Sequence, residues 1–156
     1  LSPNVTNISA TARAAIEGGA DALSMVNTFL GMAIDIERQR PVLANLTGGL
    51  SGPAIKPMAI QIVYKVYREV ARDAGIPIIG IGGIRKWQDA VEFILAGASA
   101  VSVGTALYVD PTTPLKIVDG LSEYLTRHGL RSVSDLVGAA HGEKPLPKAA
   151  ASGAQG

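Results

Sequence analysis

The chain contains no cysteine. That absence removes disulfide bonding, thiolate metal sites and a cysteine nucleophile from these residues. Charge of either sign is scarce as well. Only 17% of residues are charged, the net charge is +1, and no lysine/arginine stripe stands out. Nucleic-acid and membrane-surface binding both lose support from that balance. No apolar run reaches the roughly 20 residues of a membrane span. A basic-then-apolar secretory signal is missing too, and a cytoplasmic location suits the lack of cysteine. The N-terminus has no methionine, and Leu1-Ser2-Pro3-Asn4 reads as though cut from the end of a strand, as expected of a fragment or processed product. What is abundant is apolar: 47% of 156 residues, enough for one domain with a buried core.

Against this background three glycine clusters are the main signal. Thr47-Gly48-Gly49-Leu50-Ser51-Gly52 opens a long helical stretch through Pro53. Gly80-Ile81-Gly82-Gly83 follows Ile76-Pro77-Ile78-Ile79, and Gly104-Thr105 follows Ala100-Val101-Ser102-Val103. Glycines at strand ends let backbone N–H groups approach a ligand, and a helix beginning there adds a dipole favourable to an anion. Two successive strand–glycine–helix units late in an α/β chain are where a (β/α)8 barrel holds a phosphate. A phosphate-bearing cofactor, flavin mononucleotide (FMN) in particular, is the leading expectation.

Periodicity predicts a helix over residues 8–18, capped by Asn7 or Thr6, then a buried strand over 22–27. Residues 28–51 look irregular, with a hairpin or excursion over the active face around a polar turn at 37–40. A helix over 53–74 carries a buried stripe of Ile55, Met58, Ala59, Ile62, Val63, Val66 and Val70, with Pro57 tolerated near its first turn. Further elements are a strand over 76–81, a helix over 88–96, a strand over 100–103, a helix over 114–127 and a minor helix near 133–139. The residues from 143 to 156 are expected to form a disordered tail. Gly19–Val26 echoes Gly97–Gly104: each is a helix end, a small-residue turn and a buried strand. Repeated αβ units imply a parallel sheet covered by helices. Three strands plus a stub at Leu1 amount to about half of a complete barrel.

The run Asn45-Leu46-Thr47-Gly48-Gly49-Leu50-Ser51-Gly52-Pro53-Ala54-Ile55-Lys56-Pro57, with Leu30-Gly31-Met32-Ala33-Ile34-Asp35 and Ile78-Ile79-Gly80-Ile81-Gly82-Gly83-Ile84, resembles the class 1 dihydroorotate dehydrogenases. The closest likeness is to the catalytic subunit of the NAD-linked class 1B type. It extends from Leu1 to about Asp110 and fades beyond. The resemblance implies the C-terminal half of an FMN-binding (β/α)8 barrel over residues 1–142, its last three to four βα units. It implies oxidation of (S)-dihydroorotate to orotate in pyrimidine biosynthesis, with electrons passing to an FAD and [2Fe–2S] subunit and then to NAD+. The expected assembly is a homodimer within a heterotetramer. By the same likeness Gly52, Gly82, Gly83, Gly104 and Thr105 contact the flavin phosphate and ribityl chain, and Val26 lies against the flavin. Asn27 and Thr28 contact orotate. No catalytic residue is expected in these residues. The family's flavin-bonding lysine would stand just before Leu1, and its cysteine base lies in the first half of the barrel.

Blander readings remain for several residues. The glycines could be turn chemistry, and Gly48-Gly49 a hinge. His128 and His141 are expected at the solvent, Trp87 as a packing anchor, and Met25, Met32 and Met58 as core filling without metal logic. Asp35, Glu37 and Arg38 look like a solvated hairpin tip. The extra length of the helix near Tyr67–Gly75 is expected to lie away from the chemistry. Three other functions stay open: a dihydropyrimidine dehydrogenase-like flavin barrel, a non-catalytic half-barrel module, and a sugar-phosphate isomerase or synthase. A half-barrel on its own would expose its interior and is expected to self-associate.

Overall fold

A computed structural model describes residues 1–142; the expected tail at 143–156 lies outside the described residues. Three short parallel strands carry the fold: β1 (Leu23–Met25), β6 (Ile78–Ile81) and β7 (Ala100–Ser102), in the order β1-β6-β7. Leu23 lies beside Ile78, and Ile79 beside Ala100. The stub at Leu1 runs along β1: its amino group donates to the Ser24 carbonyl, and its carbonyl accepts from the Asn27 N–H at 3.0 Å.

Helices α1 (Ile8–Glu17), α2 (Lys56–Val66), α4 (Trp87–Leu95) and α5 (Thr113–Arg127) pack around this sheet. Asn7 caps α1 by accepting the Ala10 N–H at 3.1 Å. Ala59, Ile62, Val63 and Val66 bury one face of α2 against Leu23, Met25, Ile78 and Phe93 of the core. Met58, predicted in that stripe, is instead 41% exposed, and Met32 is 55% exposed; of the three methionines only Met25 fills the core. Met58 sits one position before Ala59, so its side chain projects beside the buried face rather than into it.

The helix predicted over 53–74 is continuous but changes pitch. A 3-10 turn (Pro53–Ile55) leads into α2, a π segment (Tyr67–Ala71) widens it, and α3 (Arg72–Ala74) ends it. The π segment lies in the stretch read from the sequence as extra helix length. It presents the Glu69 carbonyl to Arg13 at 3.4 Å and the Glu69 carboxylate to Ser9 at 2.7 Å, tying α1 to the widened turn.

The strand expected over 76–81 begins two residues later. Gly75 takes a left-handed conformation, and the Ile76 N–H folds back onto Ala71 O at 3.0 Å, so Ile76 closes the helix. Pro77 has no N–H to offer a ladder. The strand expected over 22–27 shortens to β1, although Val26 N–H still donates to Ile81 O at 3.0 Å. The minor helix resolves into two 3-10 turns, Val133–Asp135 and Ala139–His141.

Residues 28–51 are more ordered than their composition suggests. Strand β2 (Phe29–Gly31) pairs antiparallel with β5 (Gly48–Leu50), and β3 (Ile34–Asp35) with β4 (Arg40–Pro41). Gly48-Gly49 therefore belongs to a strand, not a hinge. A Cβ at Gly49 would fall 2.1 Å from Thr28 Oγ1, so the bare backbone lets this ribbon close on Thr28. The tip is solvated as expected, with Asp35 Oδ1 accepting the Glu37 and Arg38 N–H groups.

Neither histidine is fully at the solvent. His141 stacks on Tyr64 (centroids 3.8 Å apart), and its Nε2 lies 3.1 Å from Ala96 O. His128 is half-buried beside Tyr124 at 4.3 Å. Both serve packing, because an imidazole offers a flat apolar face as well as polar nitrogens. Trp87 does anchor α4 to α5, lying over Gly120 with Arg127 5.5 Å from its ring.

The echo between the two αβ joints is real: Gly19 (φ +94°) and Gly97 (φ +121°) each carry the chain from helix into strand. Gly97 has a second constraint, since a Cβ there would lie 2.2 Å from Tyr67 Cγ. Gly97→Ala is predicted to destabilise the fold by about 3 kcal/mol in a urea melt, from overpacking plus a left-handed alanine. A loss below about 1 kcal/mol would contradict this packing.

Candidate functional site

The carboxyl ends of the three parallel strands open onto one cleft of about 870 Å³. After β1 come Val26, Asn27 and Thr28; after β6 come Gly82, Gly83, Ile84 and Arg85; after β7 come Gly104 and Thr105. The turn Ser51-Gly52-Pro53 closes a further side. All eight residues singled out from the sequence line this one cleft.

The glycine turns differ in why they are glycine. Gly82 and Gly83 have φ of +140° and +74°. A Cβ on Gly82 would meet Ala59 Cβ at 2.7 Å, and one on Gly83 would meet the Gly52 carbonyl oxygen at 2.7 Å. The loop after β6 and the start of α2 therefore touch backbone to backbone. Gly104 is unlike them, because a Cβ there would meet nothing within 4 Å. Its bareness leaves open space on the cleft side. Among the described residues no acceptor takes the N–H of Gly83 or of Gly104. Gly83 is half-buried and Gly104 exposed on the cleft wall, so both amides are open to an anion or other acceptor bound there.

Side chains add donors and charge. Thr105 Oγ1 donates to Ser51 Oγ at 2.9 Å, linking the β7 loop to the α2 turn. The Arg85 guanidinium has no ion-pair partner among the described residues. Asp110, the single carboxylate on the cleft wall, accepts from Lys116 Nζ at 2.7 Å and from Thr112 Oγ1 at 2.6 Å. Those bonds, Lys116 first, hold its carboxyl down at about 2, so it is a poor proton acceptor. Val26 is buried beneath the cleft. Asn27 Oδ1 accepts the Thr28 N–H at 2.8 Å, leaving its amide NH2 exposed. Asn4 holds this turn: it donates to Thr28 O and accepts from Leu30 N–H, both at 2.9 Å.

Next to the cleft-lining Arg85, half-buried Lys56 and buried Asp89 form an ion pair. Asp89, 4% exposed, accepts from Lys56 Nζ at 2.7 Å through Oδ1 and from the Arg85 and Lys86 N–H groups at 2.9 and 3.1 Å through Oδ2. Lys56 also reaches Glu92 at 2.9 Å. Burial pushes the Asp89 carboxyl up, but Lys56 and the two amides outweigh it and hold it below the ordinary range. The bond to Asp89 raises the Lys56 ammonium against burial, and Glu92 adds to that. Sequence reasoning missed Asp89, Arg85, Asp110 and Asn4. Only Asp89 left a trace, as an acidic residue in the first turn of a helix.

A parallel sheet under helices, with a glycine-lined cleft at the carboxyl ends of its strands, defines an α/β protein whose candidate site lies at those strand ends. The dihydroorotate dehydrogenase sequence pattern matches residues 1–125. The catalytic subunit of dihydroorotate dehydrogenase B (NAD+) from Bacteroides fragilis is 55% identical over 139 residues, covering 89% of this chain and 45% of that protein. The Trichlorobacter lovleyi subunit of the same name is 56% identical over 142 residues, covering 91% of this chain and 45% of its own length. The crystal structure of DHODH from Eimeria tenella in complex with ferulenol is similar at a TM-score of 0.73 and 33% identity, over 90% of this chain and 37% of that one. The chain belongs to the dihydroorotate dehydrogenase family. It spans about 45% of the length of the curated relatives it matches.

The Lys56–Asp89 pair ties stability to pH. Folded Asp89 titrates below its unfolded value of about 3.9, so its contribution is complete above that pH and lost as pH falls through the lower folded value. Folded Lys56 titrates above its unfolded value, so its contribution is lost only as pH rises through that higher value. Asp89→Asn is predicted to be less stable than wild type at pH 7, the gap narrowing below about pH 4. Urea midpoints measured from pH 7 to pH 2 check this, and a gap constant across that range would contradict it.

Proposed function

We propose that these residues form the C-terminal half of a flavin-binding (β/α)8 barrel, residues 1–142, from a cytoplasmic dihydroorotate dehydrogenase of the NAD-linked type. One observation carries the reading. The loops after β6 and β7 and the Ser51-Gly52-Pro53 turn bring the free amides of Gly83 and Gly104, the Ser51 and Thr105 hydroxyls and the Arg85 cation to one cleft. That donor set suits a phosphate dianion, because several N–H and O–H groups and a cation can share its oxygens.

In this reading Gly52, Gly82, Gly83, Gly104 and Thr105 hold the phosphate and ribityl chain of FMN, and buried Val26 supports the flavin ring. When bound, FMN supplies the acceptor for the hydride that leaves C6 of dihydroorotate. Asn27 and Thr28 orient the substrate, the free Asn27 amide donating to a ring carbonyl or the carboxylate. The C5 proton needs a base. Asp110 is too acidic to take it and the Arg85 guanidinium, already a cation, cannot accept it, so neither of these two groups supplies the base. An iron–sulfur flavoprotein partner, with FAD and a [2Fe–2S] cluster, would carry electrons on to NAD+. The relatives' names support this, since they are catalytic subunits of an NAD+-linked enzyme.

FMN is predicted to bind more tightly than riboflavin by about tenfold or more, the worth of one charge-assisted phosphate bond. Fluorescence titration of both ligands measures it. Gly104→Ala should weaken FMN selectively while costing the fold only about 1 kcal/mol or less, since its Cβ meets no protein atom. Equal affinity for the two ligands, or binding of neither, would contradict the reading.

A further inference from the structure

Lys56 and Asp89 lie outside the cleft lining, yet they join its two sides. Lys56 begins α2, three residues after the Ser51-Gly52-Pro53 turn, and its backbone N would lie 3.1 Å from a Cβ on Gly83. Asp89 sits in the first turn of α4, where a carboxylate is favoured by the helix dipole. Its two oxygens do different jobs. Oδ1 takes the Lys56 ammonium at 2.7 Å, and Oδ2 takes the Arg85 and Lys86 amides at 2.9 and 3.1 Å. A covalent and hydrogen-bonded path thus runs from Gly52 through Lys56 and Asp89 to Arg85, and back along the chain to Gly83.

Resting on the phosphate reading above, we infer that Lys56 and Asp89 are positioning residues that lock the two glycine turns into register for a phosphoryl group. Backbone contact alone does not do this. The Gly83–Gly52 approach sets how near the loops come, whereas nothing in that contact fixes the rotation of the 83–86 turn. Asp89 fixes it by holding the two amides that follow Ile84, which keeps Gly83 and Arg85 in their places on the cleft wall. Donors held in place beforehand bind an anion without an ordering cost at the moment of binding.

A pure charge effect makes a different prediction. Removing the Asp89 carboxylate takes a negative charge from the neighbourhood of the phosphate and would strengthen its binding. Removing the Lys56 cation would weaken it. Positioning requires both changes to weaken it.

The experiment compares wild type, Asp89→Asn, Lys56→Met and Lys56→Arg in the full 156-residue chain. The quantity read is the ratio of riboflavin to FMN dissociation constants. Both ligands bind the same folded fraction, so a general loss of stability cancels from this ratio. Asp89→Asn and Lys56→Met are each expected to lower the ratio by about tenfold, and Lys56→Arg to stay within about threefold of wild type. A ratio unchanged in both variants overturns the positioning role, as does a rise in Asp89→Asn. Should Asp89→Asn not fold, the Lys56→Met and Lys56→Arg pair decides: loss with rescue supports the role, and no loss overturns it. A wild-type ratio near one overturns the phosphate reading itself, and this inference with it.

Discussion

The site depends on one close approach. Gly83, leaving β6, lies so near the Gly52 carbonyl that no side chain fits between them. This contact sets the distance between the sheet and the start of α2. Everything around it accommodates that spacing: Gly82 clears Ala59, Ala59 itself is small and fully buried, and Phe93 fills the space beneath Gly80. Interiors packed this densely do not deform by small amounts, so the cup is made stiff by the core rather than by its own loops.

That stiffness is uneven. The Arg85 side of the cleft is braced by the Lys56–Asp89 pair and by the helices behind it, while the rim is apolar and exposed. Tyr108 and Val109 at the cleft, and Leu115 and Val118 on α5, are largely exposed. The ribbon of β2 and β5 shows the same asymmetry, with Leu30 and Leu50 at the surface.

Much of this was legible beforehand because it follows from local chemistry. Helix ends announce themselves through glycine, and the parallel strands through short apolar runs between those ends. The cleft residues were legible because strand-end glycines have few other reasons to cluster, and the family likeness sharpened their roles. What stayed hidden depends on distance in sequence. The pairing of β2 with β5 joins residues about twenty apart through segments rich in glycine and poor in alternation, so no periodic signal marks it. The Asp89–Lys56 contact spans 33 positions and uses two ordinary surface-type residues. His141 reads from the sequence as solvent-exposed just before the tail, yet the 3-10 turn at Ala139–His141 lays its ring on Tyr64. The π segment, too, is a change of pitch that composition does not encode.

The central claim is that the backbone amides of Gly83 and Gly104 receive a phosphoryl group. Amide proton and nitrogen shifts of these two glycines, followed by NMR while FMN and then riboflavin are titrated, test it most directly. Both amide protons are expected to move downfield together with FMN and to stay near their free positions with riboflavin. Unmoved Gly83 and Gly104 signals at saturating FMN, with shifts elsewhere reporting that the flavin is bound, would contradict it.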